Sequence, residues 1–225
     1  SRADPEPSRD PRADLLAAGV PTAGLAMRVT APAFRHTASR ARVWVAVDMP
    51  PDVFEFASSA GVAAENLRLT YQVVDPAMKV VASDAQDVQL RLRPEMRAEV
   101  EQKGFRVVFP IDVPPGRHQL RLAARTENAA RQGSVFADLQ VPDFSADRLM
   151  WSGASMSSLA AIRVPTGPGD LQAAKAFALL PAAVRTFKRG DRVAVYAEAY
   201  DPVAGPARTI DLSAIVRDVS GKVVF

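Results

Sequence analysis

The sequence predicts an all-β chain of tandem immunoglobulin- or fibronectin-like β-sandwich domains, the second cut short at its C-terminal end. Three observations predict it. Apolar and polar residues alternate along a series of short runs, proline and glycine turns separate those runs, and the pattern of the first half returns in the second. At 225 residues the chain has room for one large or two small domains. With 48% hydrophobic and 24% charged residues it has the composition of a folded protein with a real core.

Residues 1–23 read as a flexible linker rich in proline and arginine, with too little apolar surface to order itself. Asp10-Pro11 offers a cap and a first turn for one short helix through Leu15, Leu16 and Ala17, which Gly19 and Pro21 would end. From residue 24 the period is two. Val43, Val45 and Val47 share one face of the first strong strand, and Trp44 points from the other. If the valines are core, Trp44 is exposed or faces a neighbouring domain. Leu67, Leu69, Tyr71 and Val73 repeat the pattern, as do Val88, Leu90 and Leu92. So do Val107, Phe109, Ile111 and Val113, then Leu120 and Leu122, then Val135, Ala137 and Leu139. Met49-Pro50-Pro51, Asp75-Pro76, Pro114-Pro115-Gly116 and Arg131-Gln132-Gly133 supply turns between them. Residues 94–103 break the alternation. Helix formers behind Pro94 and ahead of Gly104 predict a short helix crossing between strands. Val141-Pro142-Asp143-Phe144 closes the first sandwich domain, residues 24–144, and the second, incomplete one spans 145–225.

The internal repeat carries the tandem reading. Arg42-Val43-Trp44-Val45-Ala46-Val47 matches Arg192-Val193-Ala194-Val195-Tyr196-Ala197 at an offset of 150. Tyr71-Gln72-Val73-Val74-Asp75 with Lys79-Val80-Val81 matches Ala214-Ile215-Val216-Arg217-Asp218 with Lys222-Val223-Val224 at an offset of 143. Phe34 and Phe187 precede the two copies in similar places. On this alignment residues 210–216 and 222–225 are strands of a sandwich whose closing strands are absent. If they are not, the stretch 154–180 supplies strands to the second unit.

Few residues point to chemistry. Cysteine is absent, which removes disulfides, thiolate metal sites and cysteine nucleophiles. His36 and His118 lie 82 positions apart, each beside a turn, so a zinc or iron site would need carboxylates almost alone. The serine run Ser152-Gly153-Ala154-Ser155-Met156-Ser157-Ser158 lacks the strand-turn-helix context of a nucleophile elbow and reads as a small-residue strand or loop. Gly167-Pro168-Gly169-Asp170 has no lysine and no following Ser or Thr, so it is an inter-strand loop and not a phosphate loop. Glu99 with Glu101, and Asp84 with Asp87, sit among arginines as solvated faces. The sequence therefore predicts no enzyme, no catalytic, cofactor-binding or metal residues, and no cofactor. A net charge of +3 gives no basic patch for nucleic acid. No run approaches the ~18 apolar residues of a membrane helix, and these residues carry no signal peptide. Trp44, Tyr71, Tyr196 and Tyr200 fall in or beside strands, and an aromatic on an exposed sheet face could stack on a sugar.

The series Pro114-Pro115-Gly116-Arg117-His118-Gln119-Leu120-Arg121-Leu122, Gln132-Gly133-Ser134-Val135 and Val141-Pro142-Asp143-Phe144, followed by a strand over 149–153, resembles one known region. That region is the C-terminal β-rich part of bacterial, Acidobacteria-type VWFA-related domain proteins, without the VWFA domain itself. The likeness departs at His118, where tyrosine is usual, and at residues 76–78, where a glycine before Lys79 is usual. It implies an exported protein, periplasmic or extracellular. The expected function is a non-catalytic structural or protein-interaction module with protein partners. The alternative is a carbohydrate- or ligand-binding β-sandwich.

Overall fold

Residues 24–144 fold as two antiparallel sheets laid face to face, as the alternation predicts. The computed structural model describes residues 15–59, 61–146, 148–158, 168–201 and 209–224. In the first sheet β1 (Arg28–Thr30) and β2 (Ala33–Arg35) lie end to end along one side of β3 (Ala41–Met49), and β7 (Phe105–Val113) pairs along the other. In the second, β5 (Val62–Val74) pairs β6 (Val80–Leu92) on one side. Its other side pairs first with β4 (Ala57–Ser59) and then with β8 (Gly116–Thr126), which pairs β9 (Gln132–Val141). Helix α1 (Pro94–Lys103) crosses from one sheet to the other, with Pro94 in its first turn and the Gly104 N–H donating to the Val100 carbonyl.

The core lies between the sheets. Val43, Val45 and Val47 meet Leu67, Leu69, Val73, Leu120 and Leu122, all essentially without exposure. Tyr71 stacks on Phe109 with ring centroids 5.3 Å apart. Each such side chain contributes roughly 1.5–3 kcal/mol on burial, so this cluster accounts for most of the driving force.

Strand β3 differs from a strand with one buried face. Trp44 and Ala46, on the side away from the core, are buried too, with Phe34, Val108, Ala173 and Phe177. The cover comes from the C-terminal part of the chain, in which helix α2 (Pro168–Ala176) lies across β7. The approach is so close that a Cβ on Gly169 would overlap the Val108 carbonyl oxygen. The expected loop at Gly167-Pro168-Gly169-Asp170 is thus corrected from Pro168 onward, which opens a helix; Gly167 lies outside the described residues. A proline followed by small residues and alanines suits both a loop and a first helical turn, and packing on β7 decides between them.

The expected linker also differs in its second part. Leu15, Leu16 and Ala17 form a helical turn, as Asp10-Pro11 suggests, and Leu15 and Leu16 bury against Ala123 on the outer face of β8. Arg121 Nη1 donates to the Leu16 carbonyl at 2.9 Å, and Thr22 exchanges two hydrogen bonds with Ser134. Residues 1–14 lie outside the described residues.

Beyond Phe144, β10 (Met150–Trp151) pairs β13 (Ala199–Tyr200), and β11 (Ser155–Ser158) pairs β12 (Val193–Tyr196). The partner of β12 therefore comes from the stretch 154–180. The expected strands over 210–216 and 222–225 form no ladder among the described residues. A single bridge joins Arg217 to Val223.

The repeat reappears at atomic detail in the turns. Asp75 N donates to the Lys79 carbonyl, Met78 N to the Asp75 carbonyl, and Asp75 Oδ1 accepts from the N–H groups of Ala77 and Lys79. Asp218, Ser220, Gly221 and Lys222 reproduce all four bonds at an offset of 143. The bridge Arg217–Val223 falls at the same offset from the pair Val74–Val80.

Candidate functional site

The residues the sequence singles out are each taken up separately. His36 Nε2 lies 2.7 Å from Arg42 Nη2 and 3.6 Å from Asp112 Oδ2, in a surface network on the edge of β3 and β7. Burial raises the Asp112 carboxyl, but the Arg42 hydrogen bond and charge, with His36 and Arg40, outweigh it and hold the group below the usual carboxylate range. His118 Nε2 lies 2.9 Å from the Pro114 carbonyl, beside its turn. Glu101 pairs with Arg97 and Glu99 with Lys103 along the exposed face of α1, and Asp87 pairs with Arg68. Asp84 Oδ1 accepts from the Ala85 N–H. Ser155, Ser157 and Ser158 are buried in β11, the small-residue strand that their spacing suggests. Among the described residues no three His, Asp or Glu side chains gather as ligands would.

What the fold does bring together is a seam between the sandwich and the C-terminal segment. Three locks hold it. Asp48, on β3, takes Arg106 of β7 in a bidentate pair, Nε to Oδ1 at 2.6 Å and Nη2 to Oδ2 at 3.0 Å. Asp48 Oδ2 also accepts from the Ala183 and Val184 N–H groups at 2.7 and 3.0 Å. Both charged side chains are buried, so removing one would leave the other uncompensated at a cost of about 3–5 kcal/mol. In the second lock the Phe177 ring stands edge-on to Phe34 at 5.4 Å and to Trp44 at 5.6 Å, with Tyr196 against both phenylalanines. The third centres on Glu198, whose two oxygens accept the Tyr196 and Tyr200 hydroxyls. Tyr200 Oη in turn accepts the Arg35 N–H at 2.9 Å, its ring lies under the Arg35 guanidinium, and it meets Phe144 edge-on. Burial first, then the bond to Glu198, pushes the Tyr200 phenol well above its ordinary value.

The seam leaves an apolar surface open. Val193 and Val195 point away from the Tyr196 face of β12 and are exposed, and among the described residues β12 pairs with β11 alone. Ile210, Leu212, Ile215, Val216, Val223 and Val224 are exposed beyond it. A separate recess of about 500 Å³ lies on the outer face of the second sheet, lined by Asp75, Arg117, His118, Gln119, Asp138 and Gln140 among others. Among the described residues no helix is long and apolar enough to cross a membrane.

Sequence reasoning missed Asp48, Arg106, Phe177 and Glu198. The one available signal was a charged residue inside each of two apolar runs, Asp48 after Val47 and Arg106 between Phe105 and Val107. Their cross-strand register, which makes them a pair, is a tertiary fact.

The chain matches no protein-family model and no curated protein. Among solved structures it is similar to a glycosyl hydrolase family 2 member from Bacteroides cellulosilyticus, at 16% identity and a TM-score of 0.34 over 52% of this chain. The chain spans 14% of that protein's length.

Proposed function

We propose that the chain is a non-catalytic structural and protein-interaction module of an exported bacterial protein. The observation that carries this reading is that β12 pairs, among the described residues, with β11 alone and turns Val193 and Val195 outward, on a sandwich whose first sheet is covered on both faces. An exposed ladder edge offers unpaired backbone groups, and an added strand gains affinity through them without a pocket. The non-catalytic part rests on the serines, histidines and acidic pairs, which are spent singly in turns, strands and surface ion pairs. Export rests on the likeness to VWFA-related proteins.

A photoreactive residue placed at Val195, and as a control at the exposed Arg68, tests the reading in the native bacterium. Protein adducts at position 195 and none at 68 are expected. Adducts at both positions alike would defeat it. The second reading, a carbohydrate- or ligand-binding sandwich, draws on the recess beside Arg117 and Asp138. A saturable thermal shift with a glycan panel, lost on Asp138→Ala, would put it first.

A further inference from the structure

The repeat seen in the turn at Asp218 extends along the stretch before it. At the same offset of 143, Ile210, Leu212, Ala214 and Val216 stand where Leu67, Leu69, Tyr71 and Val73 form the core side of β5. Both turns keep the same four hydrogen bonds, so the correspondence is structural as well as sequential. In the first unit β8 runs beside β5, with Val73 opposite Leu120, Tyr71 opposite Leu122, Leu69 opposite Ala124 and Arg68 opposite Arg125. In the second unit nothing among the described residues takes the place of β8, and Ile210, Leu212 and Val216 are left exposed. Two residues differ between the copies in a way that bears on the missing neighbour. Ala214 replaces Tyr71, whose ring stacks on Phe109, and Asp211 replaces Arg68.

We propose that residues 210–216 take up, antiparallel and in the place of β8, an extended segment of a partner protein. Its alternate residues are apolar, with an aromatic one opposite Ala214 and a basic one opposite Asp211. The inference rests on the reading of the chain as a protein-interaction module. Residues directly opposite in an antiparallel pair touch, so a ring opposite Ala214 fills the volume that Tyr71 fills in the first unit. Where Arg68 faces Arg125 in that unit, a base opposite Asp211 meets an opposite charge. β8 itself cannot serve, because in each copy of the chain it is already paired with β5 and β9. A second copy offering its own 210–216 has two registers that keep the apolar sides together. With Ser213 on the two-fold axis, Asp211 faces Ile215 and finds no base. With Ala214 on the axis, Asp211 gains Arg217, but alanine faces alanine and the ring's volume stays empty. Each register meets one requirement and misses the other.

The test uses the whole chain and two fluorescein-labelled synthetic peptides of residues 116–126, the sequence of β8. One carries Leu122→Phe, which sets a ring opposite Ala214. The second carries Leu122→Phe and Arg125→Glu, which sets an acid opposite Asp211. Anisotropy gives affinity, and amide exchange gives location. The first peptide is expected to bind saturably and to slow exchange over 210–216. The second is expected to bind about fivefold more weakly, with the order reversed on the chain variant Asp211→Arg. Asp211 is exposed and holds no ion pair among the described residues, so that variant should unfold like the parent. No slowing over 210–216 by either peptide, or equal binding of the two, would overturn the proposal. Slowing over 193–196 in its place would overturn it and leave the interaction-module reading standing. Slowing over 210–216 without peptide, growing with protein concentration, would make a second copy the occupant and overturn it as well.

Discussion

Met78 sits at φ +64°, and Gly221, its counterpart in the repeat, at φ +84°. Both close the same four-bond turn, and the left-handed conformation it demands costs a residue with a Cβ about 1–2 kcal/mol. The departure from glycine at this place therefore stores strain, offset in part by the contact of Arg121 Nη2 with the Met78 sulfur. Met78→Gly removes the strain but frees the unfolded chain, and the two effects are of similar size. Met78→Gly is thus expected within about 0.5 kcal/mol of the parent, and Met78→Val, β-branched at positive φ, about 1–2 kcal/mol below it. Urea unfolding measures both; a valine variant as stable as the glycine one would mean the turn does not hold its left-handed form.

At the scale of elements, β3 is held from both sides, and its outer cover depends on one ring. Phe177 directly succeeds α2 and fills the gap over Phe34 and Trp44. Cutting it to alanine should cost the C-terminal cover about 3–5 kcal/mol while the inter-sheet core stays folded. Trp44 reports the loss, because it is buried and the other tryptophan, Trp151, is 44% exposed. Iodide should quench only Trp151 in the parent and both indoles in Phe177→Ala; unchanged quenching would show that α2 stays seated without the ring. The elements also mark what was legible in advance. Strand β5 keeps period two because one face is core and the other meets water, whereas β7 and β8 are buried on both faces for long runs; α1 announces itself through Pro94 and Gly104. The burial of Trp44 was half visible, as an aromatic opposite valines that needed a neighbour. The neighbour itself was not, because nothing in Phe177 or Gly169 taken alone names β7 as the surface it meets. The seam locks at Asp48 and Glu198 join residues more than a hundred positions apart or use a backbone N–H, and neither leaves a local pattern.

For the whole molecule, two measurements separate the sandwich from the C-terminal segment. The first is alkaline titration. Burial, then the charges of Asp84 and Asp112, pushes the Tyr71 phenol up to about 12, and Tyr196 and Tyr200 are raised through Glu198 and, for Tyr200, chiefly burial. A phenol raised on folding lends stability that is complete below its ordinary value near 10 and lost as pH climbs through the folded value. Each tyrosine of the native chain should therefore be less than half ionised at pH 10, and the chain should lose stability as pH nears 12, where Tyr71 titrates; a tyrosine half-ionised at pH 10 would contradict this. The second is hydrogen exchange. Amides of β3, β7 and β8 lie in ladders over a continuous core, so they open only with global unfolding, which for a domain costs about 5–15 kcal/mol. Residues 209–224 repeat the β5–β6 turn, yet among the described residues they carry one bridge and expose Ile210, Leu212, Ile215 and Val216. Nothing buried resists their opening, and the turn's hydrogen bonds face water. Protection factors in β3 and β8 should exceed those over 210–216 by at least about a thousandfold. Protection over 210–216 equal to that of β5 would mean that this stretch is a core strand, its apolar side chains covered in solution.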